Sequence, residues 1–313
     1  MVSLFSYILL VIMVLISVAF FTLMERKILG YIHIRKGPNK VGYVGVFQPF
    51  SDVIKLFCKE VNFMKLMNLL IFVFIPFLAL ILMLLFWVVF LWEFNQVEVE
   101  FGMIYFLCVS GLGVYVILGG GWASNSSYAL LGSFRGLAQI ISYEVSLAML
   151  LIGMIFLAGD YGVVGISSFQ EGYWLVWGFL SLLLVWLVSV LAETNRSPFD
   201  LSEGESELVS GFNIEYGSYG FAVLFMSEYG NMIFMSVVTC VLFFGSLGVF
   251  SSYLILAMYV FLVVRGTLVR YRYDSLMMMA WSGILPFSIL FLFFLMSVSM
   301  VFNLFVCCII FSK

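Results

Sequence analysis

Charge is what this chain has least of: only 10% of its 313 residues are Asp, Glu, Lys or Arg, against about a quarter in a soluble domain. A solvated surface cannot be built from so few ionisable groups, which excludes a soluble globular fold. Histidine occurs once, at His33, and Cys58, Cys108, Cys240, Cys307 and Cys308 show neither CxxC spacing nor a Cys/His pattern. Neither a zinc site nor an iron–sulfur cluster can therefore be assembled within the chain, and any redox cofactor is expected to belong to a partner. No strand precedes Gly111-Leu112-Gly113 or the run from Gly119 to Gly121, so these glycines form no dinucleotide fingerprint and suit close helix packing instead. The first apolar run has no basic start and leads into Glu25-Arg26-Lys27 where a signal peptide would carry small residues, so it is expected to remain as a helix.

What is abundant is apolar. Hydrophobic residues make up 64% of the chain and the mean hydropathy is +1.18. Runs of about 20 apolar residues, each able to cross a hydrocarbon core of roughly 30 Å, predict an all-α polytopic membrane protein, a single membrane domain over residues 1–313. Eight tilted spans are expected near Leu4 to Met24, Met67 to Leu91, Phe101 to Trp122, Gln139 to Leu157, Tyr173 to Ala192, Gly220 to Phe244, Ser251 to Val269 and Trp281 to Phe305.

The charges sort by loop, as they do when Lys and Arg are retained on one side of a membrane. Arg26, Lys27, Arg35, Lys36, Lys40, Lys55, Lys59 and Lys65 fall in the first loop, Arg135 in the third, Arg196 in the fifth, and Arg265, Arg270 and Arg272 in the seventh. The loops between carry Glu93, Glu98, Glu100, Asp160 and Glu171, and only Lys313 departs from the pattern. An even number of spans with both termini on the base-poor side is the economical topology.

Two loops on the basic side concentrate the chemistry. In the first, residues 25–66, Val46, Phe50, Val53, Ile54 and Phe57 recur at helical spacing opposite Ser51, Asp52, Lys55 and Lys59, with Pro49 at a first-turn position. This predicts an interfacial amphipathic helix, either packed on its own spans or walling an opening through which an amphiphile leaves the lipid. In the second, residues 193–217, the acids Glu193, Asp200, Glu203, Glu205, Glu207 and Glu215 face one base, Arg196. Ser197-Pro198 with Asp200 suits a helix start, which would put Asp200, Glu203 and Glu207 on one face. Carboxylates about 6 Å apart at an effective dielectric of about 20 repel by roughly 3 kcal/mol, so such a cluster can hold protons in common. A solvated acidic loop would use the same residues. Glu144, Glu193 and Glu228 lie in or at the ends of spans, where a charged acid costs roughly 3 kcal/mol and usually faces protein or water as part of a relay.

The segments ERKILGYIHIRKGPNKVG, GWASNSSYALLGSFRGLAQIISYE, LAETNRSPFDLSEGESELVSGFNIEY and RYRYD resemble the subunit 1 family of respiratory complex I, almost end to end. The resemblance implies a multi-pass protein of the mitochondrial inner membrane, in a proton-translocating NADH:ubiquinone reductase. Its partners would be the quinone-site subunits of the peripheral arm, the antiporter-like membrane subunits and membrane lipids, with no nucleic acid; FMN and iron–sulfur clusters would sit in partner subunits and ubiquinone would be the substrate. Carried over by motif, Arg26, Arg35, Lys36, Asp52 and Arg196 would line the ubiquinone cavity. Glu144, Glu193, Asp200, Glu203, Glu205, Glu207, Glu215 and Glu228 would form the proton path, with Arg135 and Arg272 as counter-charges. The chain departs from the family pattern at His33, where Gln is usual, Val269, where Pro is usual, and Ser282, where Lys is common.

Two other functions use similar features: the matching subunit of a membrane-bound hydrogenase, which needs no quinone-wide opening, and an independent proton/cation antiporter, which should carry inverted repeats or paired broken helices. The topology is directly testable. Protease added to intact mitoplasts is expected to spare the first loop, with Arg35, because that loop faces the matrix; cleavage there would reverse the assignment.

Overall fold

The computed structural model describes residues 2–61, 66–89, 99–170, 172–202, 204, 211–213, 215–245 and 250–311. Among these residues the regular structure is entirely helical. The main elements are α1 (Val2–Ile32), α2 (Gln48–Phe57), α3 (Leu69–Phe86), α4 (Gly102–Ser124), α5 (Ser127–Ala158), α6 (Val163–Phe169), α7 (Leu175–Gly178), α8 (Leu180–Glu193), α9 (Ser218–Phe244), α10 (Phe250–Thr267), α11 (Tyr273–Met278) and α12 (Leu285–Phe311). A π-helical segment, Met279–Ile284, joins α11 to α12.

Among the described residues, six helices are long and apolar enough to cross a membrane, and two shorter apolar ones, Leu180–Glu193 and Ser252–Thr267, occupy the stretches expected as the fifth and seventh spans. Several bounds differ from the sequence expectation. Helix α1 runs through Glu25-Arg26-Lys27 to Ile32, because these long side chains are good helix formers and nothing in them stops the turn. Helix α5 starts at Ser127 and has 32 residues, a length of about 48 Å that must tilt or emerge from the membrane. The fifth span is not continuous from Tyr173: the chain leaves helical geometry at Phe179 (φ −130°, ψ 48°), directly after Gly178, the weakest helix former of the segment. The break after α10 forms without the usual proline, since residues 268–272 are non-helical with Val269 in place.

Helix α5 packs on α4, α8 and α12, while α3 joins α4 to α9, and α1 packs on α9 and α10. Helix α9 is the most enclosed of the long helices. Tyr143, Trp186, Phe106, Phe234 and Phe243 are all buried, with Phe86, Phe106 and Phe234 in mutual ring contact between α3, α4 and α9. The glycine run of α4 is the close-packing strip that its composition suggests. A Cβ at Gly119 would lie 2.9 Å from Ile75, one at Gly120 3.3 Å from Phe212, and one at Gly121 2.8 Å from the Ala129 carbonyl while overlapping Ser133. By contrast a Cβ at Gly113 meets nothing within 4 Å.

Replacement of Gly121 by Ala is therefore expected to destabilise the subunit by about 1–3 kcal/mol, as overpacking does, while Gly113→Ala stays within about 0.5 kcal/mol. Thermal inactivation of the assembled protein carrying each change measures this; equal losses for the two would show that α4 does not depend on that contact.

Candidate functional site

The site is organised around the end of α8. There Thr194 and Asn195 turn the chain, Asn195 taking the left-handed conformation (φ 49°). Gln139 of α5, fully buried, donates from Nε2 to the carbonyls of Ala192 (2.8 Å) and Phe199 (2.7 Å), pinning the turn on both sides. Between these two anchors stands Arg196, 5% exposed. Its Nη2 donates to Glu228 Oε2 at 3.3 Å, and its guanidinium carbon lies 4.3 Å from the centroid of the Tyr229 ring. An ion pair and a cation–π contact, made to adjacent residues of α9, hold one buried cation.

The two residues that hold Arg196 line two separate cavities. The inner one, about 100 Å³, is lined by Glu193, Thr194, Asn195, Ser202, Glu228 and Asn231 among apolar side chains of α3, α4 and α9. The 23% of the Glu228 side chain that remains accessible faces this space. The outer one, a cleft of about 280 Å³, lies between α1, α2 and α9, with walls from Val18, Pro49, Leu56, Phe225 and Tyr229. At its edge Arg26 pairs with Asp52, which also accepts from Gln48 Nε2 at 2.9 Å, and Glu25 pairs with Arg265 of α10. Tyr229 thus lines the cleft while its neighbour Glu228 lines the inner cavity.

The amphipathic helix is α2, and it packs on α1 and α9 as one wall of the cleft. Pro49 is buried there, while Ile54 is 63% exposed and Phe57 53% exposed on the outer side, an apolar surface suited to lipid.

The predicted site residues separate into groups. Arg26 and Asp52 come together on the cleft, and Arg196 pairs with Glu228, which lines the inner cavity with Glu193. Glu144 lies on α5 with its carboxylate against Gly111 of α4, 2.9 Å from where a Cβ would stand. Arg35 and Lys36 are exposed on the loop after α1 and do not line the cleft. Arg135 is half-buried on α5 and engaged there. Arg272 is exposed and pairs with Asp274 at 3.1 Å, whereas Arg270, two residues earlier, meets Asp200 at 3.5 Å. Glu215 is half-buried in the turn before α9. Glu203, Glu205 and Glu207 lie outside the described residues.

The helix start expected at Ser197-Pro198 is not formed: residues 194–202 are turns and bends, and Asp200 reaches Arg270. The competing contacts explain the difference. Phe199 stacks on Tyr271 (centroids 5.5 Å apart, planes at 22°), and the Tyr271 amide donates to the Pro198 carbonyl at 3.1 Å, so this stretch is docked on residues 268–272. Sequence reasoning did not select Tyr229, Gln139, Arg265 or Asn231. Glu25 alone carried a readable signal, as an acid at the end of an apolar run.

Comparison with known proteins agrees with this architecture. A profile of the NADH dehydrogenase family matches residues 5–296. The chain is 50% identical over 301 residues to NADH-ubiquinone oxidoreductase chain 1 of Rhipicephalus sanguineus, covering 96% of each chain. It is 51% identical over 302 residues to the protein of the same name from Locusta migratoria, covering 95% of this chain and 96% of that one. Against that of Sminthopsis macroura it is 45% identical over 290 residues, covering 89% of this chain and 91% of that one. With a family match over almost its whole length and relatives at half identity, the chain belongs to the NADH dehydrogenase family.

Proposed function

We propose that this chain is a core membrane subunit of NADH:ubiquinone oxidoreductase in the mitochondrial inner membrane, forming part of the ubiquinone cavity and the start of the carboxylate path that couples quinone reduction to proton translocation. The relatives' shared name supports the assignment to that enzyme over a hydrogenase or a solitary antiporter. Hydride transfer from NADH, with its FMN and iron–sulfur clusters, belongs to partner subunits of the peripheral arm, and antiporter-like membrane subunits receive the protons. This chain supplies a wall and a relay, with no complete active site of its own.

The observation that carries the reading is that buried Arg196 pairs with Glu228, which lines the inner cavity, and lies on Tyr229, which lines the cleft. The apolar walls of the cleft suit an isoprenoid tail, and the Arg26–Asp52 and Glu25–Arg265 pairs give its edge the polarity a quinone headgroup needs. A unit charge arising about 10 Å from Arg196, at an effective dielectric of about 20, is worth about 1.7 kcal/mol, enough to redistribute a proton between matched carboxyl groups. Glu228 and Glu193 share the inner cavity and can exchange that proton. Glu144 continues the path through α5, and Asp200, Glu203, Glu205, Glu207 and Glu215 are assigned its loop end, with Arg135 and Arg272 as counter-charges on the sequence pattern. Arg35 and Lys36 are assigned the approach outside the cleft.

Glu228→Gln keeps the shape and removes the titrating group. In fully assembled complex it is expected to leave electron transfer from NADH to a hydrophilic acceptor intact and to lower ubiquinone-linked proton translocation by at least about tenfold, within the range for a lost acid–base group. Pumping at the parental rate would remove Glu228 from the path.

A photoreactive, hydrophobic quinone analogue is expected to label the cleft walls on α1, α2 or α9, at Val18, Leu56 or Phe225, and native ubiquinone should compete. Peptide mapping that finds label only in other subunits, at full competition, would count against the cleft as the tail's path.

A further inference from the structure

The inner cavity contains more polar groups than the carboxylate path uses. Among the described residues no group donates to Glu193 Oε2, Asn195 Oδ1, Ser202 Oγ or Asn231 Oδ1, all buried atoms of residues that line this one space. A buried acceptor without a donor is costly, and four together would consume much of a domain's net stability. The cavity offers the alternative, because its roughly 100 Å³ exceeds several times the about 10–15 Å³ a single water requires. Polar lining and sufficient room are the two conditions for stable internal water.

Asn231 has a particular place in that lining. Leu224, Ser227, Glu228, Asn231 and Met235 follow at helical spacing on the face of α9 that lines the cavity. Asn231 stands about 4.5 Å along the helix from Glu228, the last polar residue on that face before Phe234 and Met235 close it. Ser110 of α4 also lines the cavity, and the next residue, Gly111, touches the carboxylate of Glu144. An Asn amide both donates and accepts, and rotation about χ2 presents either atom. It can hold a water in either orientation, and it has no carboxylate on which a proton would be trapped.

We propose that Asn231, with Ser110, anchors a chain of ordered waters that carries protons from Glu228 past Glu193 toward Glu144. Asn231 is a positioning residue: it places waters and does not itself titrate. The inference rests on the reading that Glu228 and Glu193 carry protons, and its test separates the two.

The complex carrying Asn231→Leu, Asn231→Ser or Glu228→Gln is compared with the parent after native gels show full assembly. Each is reconstituted in vesicles, and ubiquinone reduction, protons moved per electron and the solvent deuterium isotope effect are measured. Asn231→Leu is expected to slow coupled turnover about five- to tenfold, the rate equivalent of one lost hydrogen bond, and to enlarge the isotope effect. Asn231→Ser, which still binds water, should recover most of the rate. If Asn231→Leu does not assemble, Asn231→Ala removes the amide without adding bulk and takes its place. Parental rate and isotope effect in the apolar variant, with Glu228→Gln impaired, overturn the water anchor and leave the carboxylate path standing. Equal slowing by Leu and Ser, with an unchanged isotope effect, reduces Asn231 to packing and also overturns it. Parental pumping by Glu228→Gln overturns the path itself.

Discussion

A guanidinium cannot be buried among apolar helices without partners, and Arg196 is the point from which the rest of the site follows. Its pairing with Glu228 and its seat on the Tyr229 ring offset a desolvation penalty of several kcal/mol per ion. Removing one partner of such a pair typically costs about 3–5 kcal/mol, because the other charge is left buried alone. The position of Arg196 is in turn set by backbone. Gln139 binds the carbonyls on both sides of the turn, so α5 fixes where α8 stops and where the cation points.

The same reasoning extends to the loops. Residues 197–200 gain little from their own sequence, and they are ordered by what lies beneath them: Tyr271 under Phe199, Arg270 beside Asp200, and a backbone hydrogen bond to Pro198. Residues 268–272 therefore act as a shelf for the loop that carries Arg196. At the far side of that loop Tyr216 stacks on Phe72 (centroids 4.2 Å apart, planes at 3°) and donates its hydroxyl to the Phe72 carbonyl at 3.3 Å. Both described flanks of the acidic loop are thus tied to spans, which lets small shifts in the helices reach its carboxylates.

Hydropathy made the membrane class, the order of the apolar helices and the existence of α2 legible, because each depends on composition within about 20 residues. The buried acids were legible for the same reason: an acid in an apolar run is costly wherever it finally points. Pairing was not legible. Glu25 meets Arg265 across 240 positions, and of two arginines two residues apart only Arg270 meets Asp200 while Arg272 turns to Asp274. In an irregular segment each side chain's partner is set by tertiary contacts, which composition does not reveal. The capping-box pattern at Ser197 failed for a related reason, since local capping worth about 1 kcal/mol lost to an aromatic stack, an ion pair and a backbone bond together. Composition does not mark a helix end where charged but helix-favouring residues follow an apolar run, as in α1.

Successive residues on a helix point about 100° apart, so two neighbours can face different cavities, and at Glu228 and Tyr229 α9 divides two compartments within one turn of chain. Tyr229 turns to the cleft, where its ring meets Phe21 edge-on at 5.7 Å, and Glu228 turns to the inner cavity. A single guanidinium spans the division because a cation can bind a ring face and a carboxylate at once, which a neutral side chain of the same size could not. On the function proposed above, an amphiphile in the cleft would lie against the buried Tyr229 ring on which Arg196 rests. The two contacts compete for one charge. On that proposed function, an occupant of the cleft would alter the field at Glu228 through Arg196, the cation that Glu228 shares with Tyr229.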